Sequence, residues 1–124
     1  MKRHALGEWG ERMAERHLLS KGYTILARNW RVQEGEVDLV AQDGQTIVFA
    51  EIKTRRSRSY GEPEQSITPS KRQRLRQASW AYLEAHGLLE AAWRIDVIAI
   101  RTDLPGKAWH LEHYVNAVEA EEES

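Results

Sequence analysis

The sequence predicts an α/β fold, a mixed β-sheet flanked by helices in the order α-β-β-β-α-β-β, and three observations carry that expectation. Apolar residues recur at helical spacing from His4 to Lys21, and again after Thr68-Pro69. Between these segments, Glu36–Ala41 and Thr46–Thr54 alternate on either side of Asp43-Gly44, a dipeptide that suits the positive φ angles of a tight hairpin turn. Two more alternating runs, Trp93–Arg101 and Trp109–Val115, follow the second helical pattern.

In the first helix, Leu6, Gly10, Met13, Ala14 and His17 form one stripe, with Leu18 at its edge. Gly7 and Gly10 each weaken a helix by about 1 kcal/mol relative to alanine, so their presence suggests a helix pressed close to the sheet. Gly22 ends it, and Tyr23–Val32 reads as the first strand, with Ile25, Ala27 and Asn29 on one face. Trp30 is expected to be buried against the sheet rather than to serve as a base-stacking platform. After the hairpin, the polar stretch Arg56–Ser66 has no period and reads as a mobile loop. Thr68 and Pro69 supply an N-cap and a first-turn proline for a helix running to His86, stopped by Gly87, with Leu75, Ala78, Tyr82 and Ala85 buried. In the fourth strand Asp96 is the polar exception among apolar neighbours, and it is expected to act as a structural support that accepts hydrogen bonds from a loop arginine rather than as a fourth metal ligand. Asp103–Lys107 reads as a turn. His110 and His113 fall on opposite faces of the last strand, which argues against a zinc site.

The hairpin concentrates the chemistry. With Asp43-Gly44 as a two-residue turn, Gln42 faces Gln45, Asp38 opposes Phe49 and Glu36 opposes Glu51. Glu36, Asp38, Glu51 and Lys53 then share one face, and Val37, Leu39, Val48, Ala50 and Ile52 form the core face. An unbulged loop of odd length would instead separate Asp38 from Glu51. Neighbouring carboxylates repel unless a positive charge lies between them, and hard oxygen ligands suit Mg²⁺ or Mn²⁺. Asp38 and Glu51 lie within reach of one shared cation, with Lys53 beside it to steady developing negative charge or orient a metal-bound water. An ion-paired patch in which Lys53 neutralises Glu51 explains the same spacing, and the spacing alone leaves both readings open.

Asp38 followed by Glu51-Ile52-Lys53 resembles the PD-(D/E)xK signature of restriction-endonuclease-like nucleases. Gly7-x-x-Gly10-Glu11 with Ala14, Asn29-Trp30-Arg31, Gly35-Glu36-Val37-Asp38-Leu39, Glu51-Ile52-Lys53-Thr54-Arg55, Arg94-Ile95-Asp96-Val97 and Asn116-Ala117 together resemble the YraN-type bacterial family. That family is described as predicted endonucleases and is distantly similar to archaeal Holliday junction resolvases. The resemblance spans nearly the whole chain and implies a restriction-endonuclease-like fold, with Asp38 and Glu51 as metal ligands, Lys53 as the catalytic lysine and Glu11 as a third ligand. Without it, a Glu11 paired to Arg12, Arg16 or Arg55 would be preferred. Val37 stands where the signature has its proline. The implied partners are DNA, branched or flapped, and for a junction a second copy of the chain.

Composition bounds these readings. A chain of 124 residues with 41% hydrophobic and 30% charged residues suits one globular domain, here 1–118 with an acidic tail over 119–124 expected to fray. No segment has the length and apolarity of a membrane span or the pattern of a signal peptide, so a cytoplasmic location is expected. The absence of cysteine excludes disulfides, thiolate metal sites and cysteine nucleophiles. A net charge of −1 hides a basic run, Lys53, Arg55, Arg56, Arg58, Lys71, Arg72, Arg74 and Arg76, that would attract a phosphate backbone. Cations in the first turns of a helix are unfavourable unless a phosphate or carboxylate lies near. Two further readings stay in view: a non-catalytic nucleic-acid-binding or scaffold module, and a protein-interaction domain working through exposed tryptophans or the acidic tail.

Overall fold

The computed structural model describes residues 3–56, 67–103 and 108–119. They form α1 (Arg3–Ser20), β1 (Thr24–Val32), β2 (Gly35–Asp43), β3 (Thr46–Arg56), α2 (Pro69–Ala85), β4 (Trp93–Thr102) and β5 (Trp109–Val118), the element order expected from the sequence. The five strands make one sheet in sequential order. All neighbouring pairs are antiparallel except β3 and β4. A parallel pair needs a long crossover, and α2 supplies it.

That crossover puts α2 on one face of the sheet while α1 covers the other. Leu75, Ala78, Tyr82 and Leu83 of α2 pack with Val40, Ile47, Phe49, Ile95 and Val97. On the opposite face Trp9, Ala14 and Leu18 of α1 pack with Leu39, Val48, Ala50, Ile52, Ile98 and Ile100. Both faces are thus core. A central strand in such a sheet reads as a continuous apolar run, and β4 is buried without interruption from Ile95 to Ile100. The expectation of one core face and one carboxylate face is corrected accordingly: apolar residues of the carboxylate face, Val40, Ile47 and Phe49, lie under α2.

The hairpin register also differs. Gln42 pairs with Ile47 and Asp43 with Thr46, so the two-residue turn is Gly44-Gln45, with Gly44 at φ 61°. A glycine at the first turn position takes that φ without a Cβ penalty. Phe49 therefore faces Val40 rather than Asp38, and Glu36 pairs with Arg31 of β1, making an exposed ion pair at 3.1 Å, rather than with Glu51. The slip is by an even number of residues, but Val37 and Leu39 pack on opposite faces, so the alternation expected to set Asp38 beside Glu51 and Lys53 is broken at Asp38 itself.

Smaller departures have local causes. A register shift between Ile25 and Ala27 turns these residues toward opposite cores. Asn29 takes φ 52°, and around it Val37 packs under α2 while Leu39 packs under α1. On α2, Leu83 and Ser79 are buried and Ala85 is exposed. β5 continues through Asn116, at φ 55° beside a second register shift, to Val118. Only one of the α1 glycines is forced by packing: a Cβ on Gly10 would overlap the Thr54 side chain, whereas one on Gly7 meets nothing. Gly35 has the same role at α2, where a Cβ would overlap the Arg74 backbone carbonyl. Trp30 is partly buried and donates to the Ala78 carbonyl at 2.9 Å, as its position beside the sheet suggested. The expected loop over 57–66, including Arg58, most of the Asp103–Lys107 turn and the tail beyond Glu119 lie outside the described residues.

Candidate active site

The pairing of β2 with β3 ends at Leu39 and Ala50, one residue short of Asp38 and Glu51. Beyond that point the Ile52 N–H donates to the Asp38 carboxylate at 2.8 Å, so a side chain takes the place of the next rung. Where the strands part, a recess of about 510 Å³ opens, lined by Glu8 and Glu11 of α1, Asn29 of β1, Asp38 of β2, Glu51 to Arg55 of β3 and Lys71 of α2. Five elements thus meet around Asp38 and Glu51.

Glu51 and Lys53 are fixed from below, since β3 pairs with β4 at Val97 and Ala99. Glu51 is only 5% exposed. Two ammonium groups neutralise it: Lys53 Nζ at 3.6 Å and, closer, Lys71 Nζ at 3.0 Å. Lys71 reaches it because of how α2 begins. Thr68 caps the helix by accepting the Lys71 N–H at 3.1 Å, Pro69 opens it, and Gly35 lets its backbone lie against β2.

Burial and like charge shape the titration of this cluster. Burial first, then the Glu51 carboxylate, pushes Asp38 up to about 7, against the pull of the Ile52 N–H. Burial and the neighbouring Lys71 lower Lys53 to about 8, although Glu51 opposes them. Burial also works against the charge on Lys71, but its contacts with Lys53 and Glu51 outweigh this and raise its pKa. An acid raised toward neutrality thus stands beside a lysine lowered toward it, in one cluster of coupled charges.

The other residues singled out from the sequence divide. Glu11 lines the recess with Asp38 and contributes to raising its pKa. Among the described residues, however, no three carboxylate or imidazole groups gather closely enough to hold a metal ion by themselves. Arg55 lines the same recess. Arg56 turns to the Asp103 carbonyl at 2.9 Å, and on α2 Arg72 donates to the Ile67 carbonyl at 3.1 Å and Arg76 to that of Glu119 at 2.7 Å. Arg74 lines a smaller recess of about 270 Å³ with Glu36, Thr68, Ser70 and Lys71. Asp96 is fully buried and accepts from Arg94 at 3.0 Å, His113 at 2.8 Å and the Asn116 N–H at 2.8 Å. It is the structural support expected, but its arginine comes from its own strand rather than from a loop. His113 is held there while His110 pairs with Glu112 at 2.9 Å.

Sequence reasoning grouped Lys71 with the backbone-binding cations and missed its place on Glu51. A signal was present: with Thr68 as cap, Lys71 occupies the position where a capping box has Glu or Gln. A cation there calls for a nearby anion, and the anion is Glu51.

Comparison with known proteins gives the family of the chain. The model of the uncharacterised protein family UPF0102 matches residues 10–100, a span that includes Asp38, Glu51, Lys53 and Lys71. A UPF0102 protein of Roseiflexus castenholzii is 46% identical over 119 residues, 95% of this chain and 96% of its own length. One from Geobacter sulfurreducens is 46% identical over 114 residues, covering 92% of this chain and 88% of the relative, and one from Acidothermus cellulolyticus is 53% identical over 94 residues, covering 76% and 68%. With matches of this extent across the fold and the recess, the chain belongs to the uncharacterised protein family UPF0102, the YraN-type family that its motifs resemble.

Proposed function

We propose that this protein is a Mg²⁺- or Mn²⁺-dependent DNA endonuclease of the PD-(D/E)xK kind. The observation that carries the reading is the meeting of a half-buried carboxylate, Asp38, and a buried one, Glu51, with Lys53 in one recess at the parting of β2 and β3. Mg²⁺ is commonly held by one or two carboxylates, with waters and substrate phosphate completing its shell, so the donor set fits a small hard cation without a third protein ligand. Such an ion would supply charge that lowers the pKa of a water and polarises a phosphoryl oxygen. The remaining work falls to the chain. Asp38, held near neutrality in pKa, accepts or releases a proton at its carboxylate according to what lies beside it. Lys53 directs its ammonium toward Glu51 and, with a phosphodiester in the recess, toward the negative charge that develops there. Glu11 borders the recess and would act through the electrostatics of Asp38 or through waters.

Lys71 and Arg74 stand where a phosphate backbone entering the recess would pass, and Arg55 borders the recess itself. Branched or flapped DNA is the proposed substrate form, and cutting a junction on both sides would require a homodimer with two such sites. Such a role would place the protein in the cytoplasm beside its DNA.

One observation favours a second reading, a nucleic-acid-binding module without cleavage. Glu51 already has two ammonium partners, so the cluster is close to charge balance without a cation. Cleavage of labelled linear, flapped and four-way DNA with Mg²⁺ or Mn²⁺ separates the two. The nuclease reading expects cutting by the wild type and a loss of about a hundredfold or more in Glu51→Ala and Lys53→Ala. Salt-sensitive DNA binding without cutting would favour the binding module. Equal cutting by all three proteins would trace to a contaminant and remove the catalytic assignment.

A further inference from the structure

The contact between Lys71 and Glu51 has two features that a permanent ion pair does not explain. Lys71 Nζ lies nearer to Glu51 than Lys53 Nζ does, 3.0 Å against 3.6 Å, although Lys53 is the strand neighbour. The Lys71 side chain is nevertheless 41% exposed, against 10% for Lys53. Lys53 is embedded between strand and recess, while Lys71 reaches in from outside on a flexible stem.

The helix itself gives no reason for this cation. Lys71 lies in the first turn of α2, where unsatisfied N–H groups make positive charge unfavourable, so Glu51 is the group that draws the ammonium in. Space for the ammonium to withdraw exists in the adjoining smaller recess, lined by Thr68, Ser70, Lys71, Arg74 and Leu75 together with Glu36, a second carboxylate that could receive it. That recess would receive a backbone phosphate in the proposed substrate path.

We infer that Lys71 is a displaceable internal cation: its ammonium occupies the place beside Glu51 that a divalent ion would take, leaves when the ion binds, and so sets the affinity of the site for metal. The inference rests on the metal-site reading above. It gives Lys71 a positioning role through competition. Before metal binds, Lys71 keeps Glu51 neutralised. Once displaced, it adds positive charge to the rim occupied by Arg74.

Mn²⁺ binding to the full chain, measured by calorimetry at fixed ionic strength without DNA, tests this. Lys71→Met keeps most of the stem and removes the charge, and Lys71→Gln does so with a polar end. Both are expected to bind Mn²⁺ about two- to fivefold more tightly than the wild type, the scale of losing one competing, partly exposed ion pair. Lys71→Arg, which keeps the charge, should stay near wild type. Adding Glu51→Gln to Lys71→Met should abolish the gain. Unchanged or weaker binding in the uncharged variants, with wild type binding, would overturn the role of Lys71 and leave the metal site standing. Absence of Mn²⁺ binding in wild type and variants alike would overturn both. A measurement on the wild type is independent of variant folding: brief acetylation read by mass spectrometry should modify Lys71 faster with saturating Mn²⁺ than without, and Lys53 no faster. Protection of Lys71 by Mn²⁺ would also overturn the inference.

Discussion

Asp38 is the residue at which stability and the proposed function oppose each other most directly. Its carboxyl is pushed from 3.8 to about 7 by burial first and by Glu51 second. An acid raised in this way binds its proton more tightly in the folded chain than in the unfolded one. Its contribution to cation-free stability is therefore fully present below about pH 4 and is lost as pH rises toward 7. Asp38→Asn should consequently stabilise the cation-free protein at pH 8, by about 1–2 kcal/mol once relaxation is allowed for, and the gain should shrink toward pH 5. The amide oxygen can still accept the Ile52 N–H, so that contact is retained. Thermal melts in EDTA at the two pH values read this directly. A variant less stable than wild type at pH 8 would mean that the carboxylate is structural, and the tension expected of an active site would be absent.

At the scale of elements, the helices and strands were legible because each has a period and a stop. Thr68-Pro69 and Gly87 bracket α2, and Gly22 closes α1. The hairpin register was not legible, because Asp43-Gly44 and Gly44-Gln45 both supply a glycine with positive φ, and only pairing across the ladder decides between them. Glycines in α1 separate propensity from packing in a way that can be measured. Gly7→Ala adds a side chain into open space and should stabilise the helix by about 0.5–1 kcal/mol. Gly10→Ala has the same propensity gain but drives a methyl into Thr54 of β3, and overpacking of this kind costs about 1–3 kcal/mol. Chemical denaturation of the two variants should therefore give opposite signs. Thr54 follows Lys53 directly, so the Gly10 contact also fixes how α1 sits against the strand that carries Glu51 and Lys53. A stabilised Gly10→Ala would show that α1 can move away from β3 without cost.

For the whole molecule, a net charge of −1 is compatible with DNA binding only if the cations are segregated, and the fold segregates them less simply than the sequence suggested. Glu51 and Lys53 were legible as a pair because a two-residue periodicity along β3 fixes their side, whereas Asp38 reaches them through the Ile52 N–H where the alternation of β2 is broken. The fates of the arginines were not, because each depends on which backbone carbonyl the fold brings near. Arg72 and Arg76 donate through Nε to the carbonyls of Ile67 and Glu119, whereas Arg74 faces the recess beside Lys71. Glu8 and Glu11 border the α1 side of the recess and disfavour a phosphate backbone there, while Glu15 farther along α1 is paired with Arg28 at 2.6 Å. Both facts lead the proposed DNA path over the start of α2. Each phosphate contact contributes about 0.9 to the slope of log K against log salt for a duplex, so the path can be read from salt titrations of DNA binding. Arg74→Ala should lower that slope by about one, while Arg76→Ala, removing a group committed to the end of β5, should change it by well under half as much. Arg76→Ala should instead appear in stability, because the Glu119 carbonyl loses its charged donor. Equal slopes for both variants would move the DNA away from α2, and the proposed substrate path with it.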